Sequence, residues 1–444
     1  MPISSARTAA FDILLRIEQQ GAYASELLHA PRYAGLSGRD HALVTELVMG
    51  VMRWRSLLDG QIARHATQSL DRLDREVLTA LRLAAYQMGF LERVPVRAAL
   101  HESVDLVRRA RKRSAVGFVN AVLRGLAKQG IQLEASAIAK SKDVEDLAQA
   151  AAHPQWLVER WVRNFGFEAA RQICGHAQHA PGTAIHVTNA TLGEELEKEG
   201  VQLAEGLLLT SARRVKSGDI TKSRAYRARH VVIQDEASQL VALLGGNGTR
   251  ILDCCAAPGG KTRILAERNP AADILAVELH PHRARLVRKL VPYENVRVLC
   301  ANVSTLPVRA EFDLVLVDAP CTGTGTLARN PEIKWRLAPD DLVNLQARQQ
   351  AILQSVMRHV APGGRLVYST CSLEPEENEE IIERVLASTA TLRQVDSRGE
   401  LERLRGEGEL AWKDLNSLAS GPYLRTIPGI HPCDGFFVAI LQRI

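Results

Sequence analysis

"ILDCCAAPGGKTRILAE", residues 251–267, joins a short apolar run to a Pro/Gly turn and then to a stretch of helical character. A strand that turns into a helix presents backbone N–H groups to a ligand at the carboxyl end of a sheet. Two nucleotide-binding patterns fail here. A P-loop requires glycine five residues before Gly260, where this chain has Cys255, and the Gly-x-Gly-x-x-Gly dinucleotide fingerprint is absent. An adenosine-bearing ligand without a pyrophosphate remains. Glu278, 25 residues after Asp253 at the expected end of the second strand, can accept both ribose hydroxyls, and Asn302 after the third can meet the adenine edge. Together these features suit S-adenosylmethionine.

Working outward, strands alternate with helices from Val231 to the C-terminus, the pattern of a parallel sheet with right-handed crossovers. The expected strands are Arg250–Asp253, Ile274–Glu278, Val296–Cys300, Phe312–Asp318 and Arg365–Ser369, with a closing strand Phe436–Leu441. Helices such as "RARLVRKLV" and "DLVNLQARQQAILQSVMRHV" fall between them, giving an open Rossmann-like α/β sheet. The fourth strand ends in "LVDAPCTGTG" and the fifth in "YSTCS", so Asp318, Cys321 and Cys371 all fall at the carboxyl edge, where such sheets do their chemistry. Free cysteine is also a common small core filler, and that reading suits about four of the seven cysteines. Two thiols at neighbouring strand ends are harder to explain as packing.

A thiolate beside a methyl donor suits methylation at carbon 5 of a pyrimidine, which is not nucleophilic until something adds to carbon 6. Asp318 is the candidate for hydrogen bonding to ring N3, and the second thiol could act as base. Spacing alone leaves Cys321 and Cys371 nearly tied for the role of nucleophile. The base must leave its stack to reach such a pocket, which calls for parts that hold the RNA.

The rest of the chain offers them. Residues 1–150 carry 21 Lys/Arg against 16 Asp/Glu, residues 151–230 carry 11 against 8, and residues 231–444 carry 24 against 26. The positive surplus therefore lies outside the catalytic half, as a polyanionic partner would favour. Residues 5–130 show apolar positions at intervals of three and four in "ARTAAFDILLRIEQQ", "HALVTELVMGVMRWRSLLDGQIARHA", "DREVLTALRLAAYQMGFLE" and "VRAALHESVDLVRRARKR", which predicts an all-α bundle. Its run Arg108, Arg109, Arg111, Lys112, Arg113 is equally a solvated face or a phosphate contact. Residues 131–152 read as a linker. "HPQWLVERWVRNFG" then restarts a helix, and "GTAIHVTNA" and "GLLLTSA" read as strands around the helix "LGEELEKEG", a small α+β domain. Seven basic residues from Arg213 to Arg229 form the better candidate for a phosphate-facing strip. The expected domains are 1–135, 150–230 and 231–444.

"DCCAAPGGKT", "VDAPCTGTGTLARNPEIKW", "YSTCSLEPEENE" and "DGFFVA", in that order, resemble the RNA 5-methylcytosine methyltransferases, and the helical N-terminus resembles the NusB-type RNA-binding domain. The resemblance covers nearly the whole chain. It implies an enzyme that uses S-adenosyl-L-methionine on a cytidine of 16S ribosomal RNA, with Cys371 as nucleophile and Cys321 as the partner that helps release product. It also implies that Cys255, Ala256, Ala257, Pro258, Gly259, Gly260 and Lys261 line the methionine end of the cofactor, with Glu278 at the ribose, Asn302 at the adenine and Asp318 between cofactor and base. The family often has Asp where this chain has Glu278 and Asn302, and both replacements keep a hydrogen-bonding side chain.

Other features have plainer readings. His280 and His282 lack further clustered ligands and read as surface histidines; no metal is expected. Lys334 and Trp335 are equally RNA contacts or loop anchors, and Glu374, Glu376, Glu377, Glu379 and Glu380 read as helix-capping charge. Without CxxC pairs, a signal peptide or an apolar run of membrane length, a cytoplasmic protein is expected, with no membrane partner. A monomer is expected, since one chain holds every part. Two competing functions are weaker. An amino-methyltransferase would place a polar Asn/Asp-Pro-Pro-aromatic motif where this chain has Asp-Ala-Pro-Cys, and a ribosome-assembly factor with a relic catalytic half would not need both thiols.

Overall fold

The computed structural model describes residues 3–131, 137–187, 191–306 and 310–444. The chain divides into two compact units, Met1–Ala180 with Leu327–Arg336, and Pro181–Thr326 with Leu337–Ile444.

The first unit is helical. Ser5–Gln20, Gly38–Ala63, Arg75–Phe90, Val96–Arg109 and Val116–Gln129 bury the expected stripes, including Phe11, Leu14, Leu47, Met52, Leu58 and Leu81. Ser4 and Ser37 cap two of these helices by accepting from Arg7 N and Asp40 N, and Gly21 ends the first in the left-handed region, at φ 61°. Gly50 sits where a Cβ would come 1.9 Å from Cζ of Tyr86, so two helices cross at a point that admits no side chain. The buried guanidinium of Arg82 is held by Asp59 and Glu18. In the basic run, Arg108 pairs with Asp105, Arg109 with Asp12 and Lys112 with Asp74, so three of its five charges meet acids of the same unit.

The stretch read as a linker holds helices Ala137–Lys140 and Val144–Ala150, the second capped by Asp143 and burying Leu147 and Ala148. Elements this short carry too few apolar positions to show a period. Residues 132–136 of that stretch lie outside the described residues. Gln155–Phe165 forms as read and buries Trp161 completely.

Residues 327–336 come late in the sequence yet pack in this unit. Glu332 Oε1 accepts from Ala24 N at 2.9 Å, and Lys334 Nζ donates to the carbonyl of Arg53 at 2.9 Å. Arg53 in turn donates to the carbonyl of Ala328 at 2.9 Å. Of the two readings for Lys334 and Trp335, anchoring is the one observed: Lys334 is 1 % exposed, and burial drives its ammonium well below the usual lysine range.

The second unit holds two sheets. The smaller, entirely antiparallel, has the order Gln202–Glu205, Ala212–Ser217, Ala184–Val187, Val231–Ile233, with helix Thr191–Lys198. Val231–Ile233, read from sequence as the start of the catalytic half, is thus an edge strand of the small sheet. "GLLLTSA" is mostly turn: Leu207, Leu208 and Leu209 donate their backbone N–H groups to the buried carboxylate of Glu236, and the strand begins only at Ala212. Residues 188–190 of "GTAIHVTNA" lie outside the described residues. In the basic strip, strand alternation separates Arg213 from Arg214, while Lys216, Lys222, Arg224 and Arg227 are exposed.

The larger sheet runs Ala419–Ser420, Tyr423–Thr426, Phe436–Arg443, Val360–Thr370, Phe312–Asp318, Arg250–Cys254, Asp273–Glu278, Val296–Cys300, with Leu392–Val395 paired to Phe436–Arg443. The five strands from Val360–Thr370 to Val296–Cys300 are parallel; Phe436–Arg443 is antiparallel to its neighbours. The six expected strands are present, four of them with the bounds extended, and three short ones at the antiparallel edge went unread. Buried apolar side chains cover both faces, which is why the central strands read as continuous hydrophobic runs.

Candidate active site

The turn after Arg250–Cys254 is shaped by backbone that carries no bulk. Cys255 takes a left-handed φ of 60°, Gly259 has φ 113°, and helix Gly260–Arg268 begins without a side-chain cap, leaving its first N–H groups directed outward. A Cβ on Gly259 would lie 2.6 Å from Val291 Cγ2, and one on Gly260 2.8 Å from Gln234 Oε1. A pocket forms here, lined by Cys255 to Lys261 with Val232, Gln234, Asp253, Leu290 and Asp318. Two buried oxygens among its lining residues, Gln234 Oε1 and Asp253 Oδ1, have no hydrogen-bond partner among the described residues. Burial pushes the Asp253 carboxyl up to about 7, against the pull of the Thr262 hydroxyl, which donates to Oδ2 at 2.5 Å. Burial and then the nearby carboxylates of Asp318 and Glu278 push the Cys255 thiol up to about 12, so this cysteine stays protonated.

Glu278 and Asn302 sit at the ends of the next two strands and do not line that pocket. Glu278 is buried and accepts from His280 N at 3.0 Å; Asn302 is exposed and accepts from Ser304 N at 2.9 Å.

On the other side of the turn, the register pairs Asp318 with Ser369, whose hydroxyl donates to Asp318 Oδ1 at 3.0 Å. Lys261 Nζ donates to Oδ2 at 2.7 Å and lies 5.3 Å from the centroid of the Phe436 ring. The helix start and the ends of the fourth and fifth strands therefore meet at one carboxylate. Three residues past Asp318, Cys321 Sγ lies 3.4 Å from Cys371 Sγ. That is a hydrogen-bonded thiol pair, well beyond the ~2.05 Å of a disulfide. The contact with Cys371, then burial, then Glu377 and Asp318 all push the Cys321 thiol well above its usual range. Either sulfur can donate in this pair, and the contact with Cys371, burial and the nearby carboxylates disfavour a thiolate on Cys321.

The sequence missed what holds this pair. Glu377, read as capping charge, is fully buried in the turn Pro375–Glu377 ahead of helix Glu379–Ser388 and accepts from the N–H and hydroxyl of Thr322, next to Cys321. Gln349 adds a third bond, to Oε1 at 2.9 Å. Gly325 N donates to the carbonyl of Cys371 at 2.9 Å, and Gly435 N to that of Gly325 at 2.8 Å, so "DGFF" braces the same loops. The only local hint was composition, since an acid flanked by Pro and Asn suits a cap as well as a clamp.

Two family models match, "16S rRNA methyltransferase RsmB/F" over residues 240–442 and "NusB family" over residues 4–128. The probable ribosomal RNA small subunit methyltransferase B of Bacillus subtilis is 34% identical across all of both chains. The ribosomal RNA small subunit methyltransferase B of Vibrio cholerae is 28% identical across 99% of this chain and 98% of its own. Among solved structures, a methyltransferase homologue from Pyrococcus horikoshii covers 68% of this chain and all of its own, at 25% identity and a TM-score of 0.56. NSun6 from the same organism, solved with SFG, covers 65% of this chain and 98% of its own at 19% identity and a TM-score of 0.55, a likeness of fold. With a full-length relative at this identity and both halves matched, the chain belongs to the RsmB/F family of 16S rRNA methyltransferases that carry an N-terminal NusB domain.

Proposed function

We propose that the protein methylates carbon 5 of one cytidine in 16S ribosomal RNA through a covalent bond between Cys371 and carbon 6. The observation that carries this reading is the 3.4 Å thiol pair beside Asp318 at the carboxyl edge of the sheet. Attack at carbon 6 needs a thiolate, and a neighbouring thiol that keeps its proton can stabilise one by donating to it. Cys321 is proposed as that neighbour, which supports attack by Cys371. Asp318, held by Lys261 and Ser369, is proposed to meet ring N3 as an acid: with a proton drawn from Lys261 its carboxyl can donate to N3 as charge develops there. Once carbon 5 carries the new methyl group, Cys321, freed of its bond to the Cys371 thiolate, can lose its own proton to solvent and take the one on carbon 5. The electrons of that C–H bond re-form the ring double bond as the C–S bond breaks, returning Cys371 as thiolate.

S-adenosyl-L-methionine fits the turn Cys255–Lys261 as cofactor: glycine backbone that leaves no room for a Cβ lines the pocket, and its two unpartnered oxygens, on Gln234 and Asp253, can accept hydrogen bonds. It supplies an electrophilic methyl group. Glu278 and Asn302 are proposed at the ribose and adenine from their strand-end positions. The NusB-like region 1–135 and the small domain 150–230 are proposed to hold the RNA, with Lys216, Lys222, Arg224 and Arg227 as exposed phosphate contacts. A cytoplasmic monomer suits this role, and among the described residues no helix is long and apolar enough to cross a membrane.

The test incubates unmodified 16S rRNA with radiolabelled S-adenosylmethionine and maps 5-methylcytosine by bisulfite sequencing. One methylated cytidine is expected, abolished in Cys371→Ala, while Cys321→Ala accumulates a covalent protein–RNA adduct. An active Cys371→Ala, or an adduct trapped through Cys321, would overturn the roles.

A further inference from the structure

The geometry points to Glu377 as a positioning residue for the thiol pair, one that locks the loop of Cys321 against the turn carrying Cys371 and sets a carboxylate beside Cys321. The inference rests on the thiol roles proposed above. Glu377 lies six residues beyond Cys371 but spends its side chain on the other thiol's loop. Oε1 accepts from Thr322 N and Gln349 Nε2, each at 2.9 Å, and Oε2 accepts from Thr322 Oγ1 at 2.5 Å. Its own carbonyl accepts from Tyr368 Oη at 2.7 Å, at the end of the strand that leads into Cys371. Cross-bonds close the arrangement: Ser372 Oγ lies 3.0 Å from Thr322 Oγ1, and Leu373 N donates to Thr324 Oγ1 at 2.9 Å. Asn378 Nδ2 donates to the carbonyl of Ser372 at 2.9 Å. The side chain that grips the Cys321 loop is 0 % exposed, and its backbone meets the strand that leads into Cys371.

A fully buried carboxylate held only by neutral donors is a costly structural device. A glutamine of the same shape would bind one or two of those donors without the charge. What the charge adds is a field on its neighbours. Burial raises the Glu377 carboxyl from its usual range while Ser372, Thr322 and Gln349 pull it back, and Glu377 is among the groups that push the Cys321 thiol up. The other ionisable groups acting on that thiol are Cys371 and Asp318, the latter paired with Lys261. Tyr368 also lies within their influence, protonated by burial. Glu374 and Glu376 share the turn with Glu377, and Glu380 beyond it accepts from Gln346. Arg348, on the same helix as Gln349, is exposed and acts on Cys255.

The experiment uses the full chain and needs neither RNA nor methyl donor. Iodoacetamide alkylation of Cys321 and Cys371 is followed separately by peptide mass spectrometry from about pH 6 to 10 in wild type and Glu377→Gln. The expected result is a Cys321 midpoint lower by about one pH unit in the variant, hence alkylation about tenfold faster at pH 8. An unchanged Cys321 midpoint would overturn the electrostatic role. Should Glu377→Gln fail to melt cooperatively, Glu377→Asp keeps the charge but withdraws the grip by one methylene. Diamide-driven formation of the Cys321–Cys371 disulfide is then expected to slow by about tenfold, and an unchanged rate would overturn the positioning role. Because both readouts are of the thiols alone, the two failures are distinguishable: absence of methylated cytidine would count against the proposed reaction, and unaltered thiols against the role of Glu377.

Discussion

Asp253→Asn should make the second unit more stable at pH 8 and leave it nearly unchanged at pH 4. Asp253 is 1 % exposed, its Oδ1 has no partner among the described residues, and its carboxyl is pushed up to about 7 from an ordinary 3.8. Between those two values the unfolded chain has released the proton that the folded chain retains. Stability therefore falls as pH rises through that window and levels off above about 7. Roughly three pH units at about 1.36 kcal/mol each give on the order of 4 kcal/mol lost between pH 4 and pH 8. Asparagine keeps the shape and still accepts from Thr262 Oγ1, but it does not titrate. The assay is hydrogen exchange of the amides in Arg250–Cys254 at several pH values, corrected for intrinsic exchange, in the cofactor-free protein. Titrations elsewhere cancel in the difference between variant and wild type, so that difference should grow by a few kcal/mol from pH 4 to pH 8. A difference that stays constant would refute the reasoning, because it would mean that Asp253 is already ionised in the fold at low pH.

Three further changes test the packing around the sites. Gly325→Ala puts a Cβ 2.2 Å from the carbonyl oxygen of Gly435, a backbone atom that cannot swing away, so a loss of about 1–3 kcal/mol in urea unfolding and weakened methyl transfer are expected. Unaltered stability would mean the two loops are not braced against each other. Lys334→Met keeps the buried stem and discards an amine that burial already disfavours as a cation, so the first unit should change by less than about 1.5 kcal/mol, while Lys334→Ala opens a cavity and should cost about 2 kcal/mol or more. Equal losses in the two would show that the bond to the Arg53 carbonyl, not the stem, anchors the segment. Glu236→Gln replaces an acceptor of three backbone N–H groups with one that offers a single oxygen, and about 1.5–3 kcal/mol should be lost in denaturant titration of the second unit. A neutral result would place the Leu207–Leu209 turn under other control.

Much of the candidate site is legible in the sequence, because its parts lie at the ends of strands. Val296–Cys300 and Phe312–Asp318 have the bounds the sequence suggested; the second is buried on both faces, and such a strand announces itself as an apolar run that stops where the loop begins. Cys321 and Cys371 then follow as neighbours at one edge. The small sheet was harder. Gln202–Glu205 and Ala212–Ser217 are half-exposed and carry charges, whereas the apolar "GLLL" between them is a turn whose N–H groups a distant glutamate satisfies. Local pattern followed the hydrophobicity and so chose the wrong residues.

The sequence by itself determined the helical first part, the alternating second part, the phosphate-free turn at Cys255–Lys261 and the presence of two thiols at adjacent strand ends. These follow from periodicities of a few residues, which each segment carries within itself. Tertiary structure alone decided that residues 327–336 belong with the helical unit, that Lys334 is buried, and that Asp318 is shared by Lys261 and Ser369. It also decided that Glu377 reaches back 55 positions to the loop of Cys321, and that the contact with Cys371, burial and nearby carboxylates raise the Cys321 thiol. Each of these depends on which groups share a dry volume, and burial together with charge at a few ångströms is set by packing between segments that no local pattern relates.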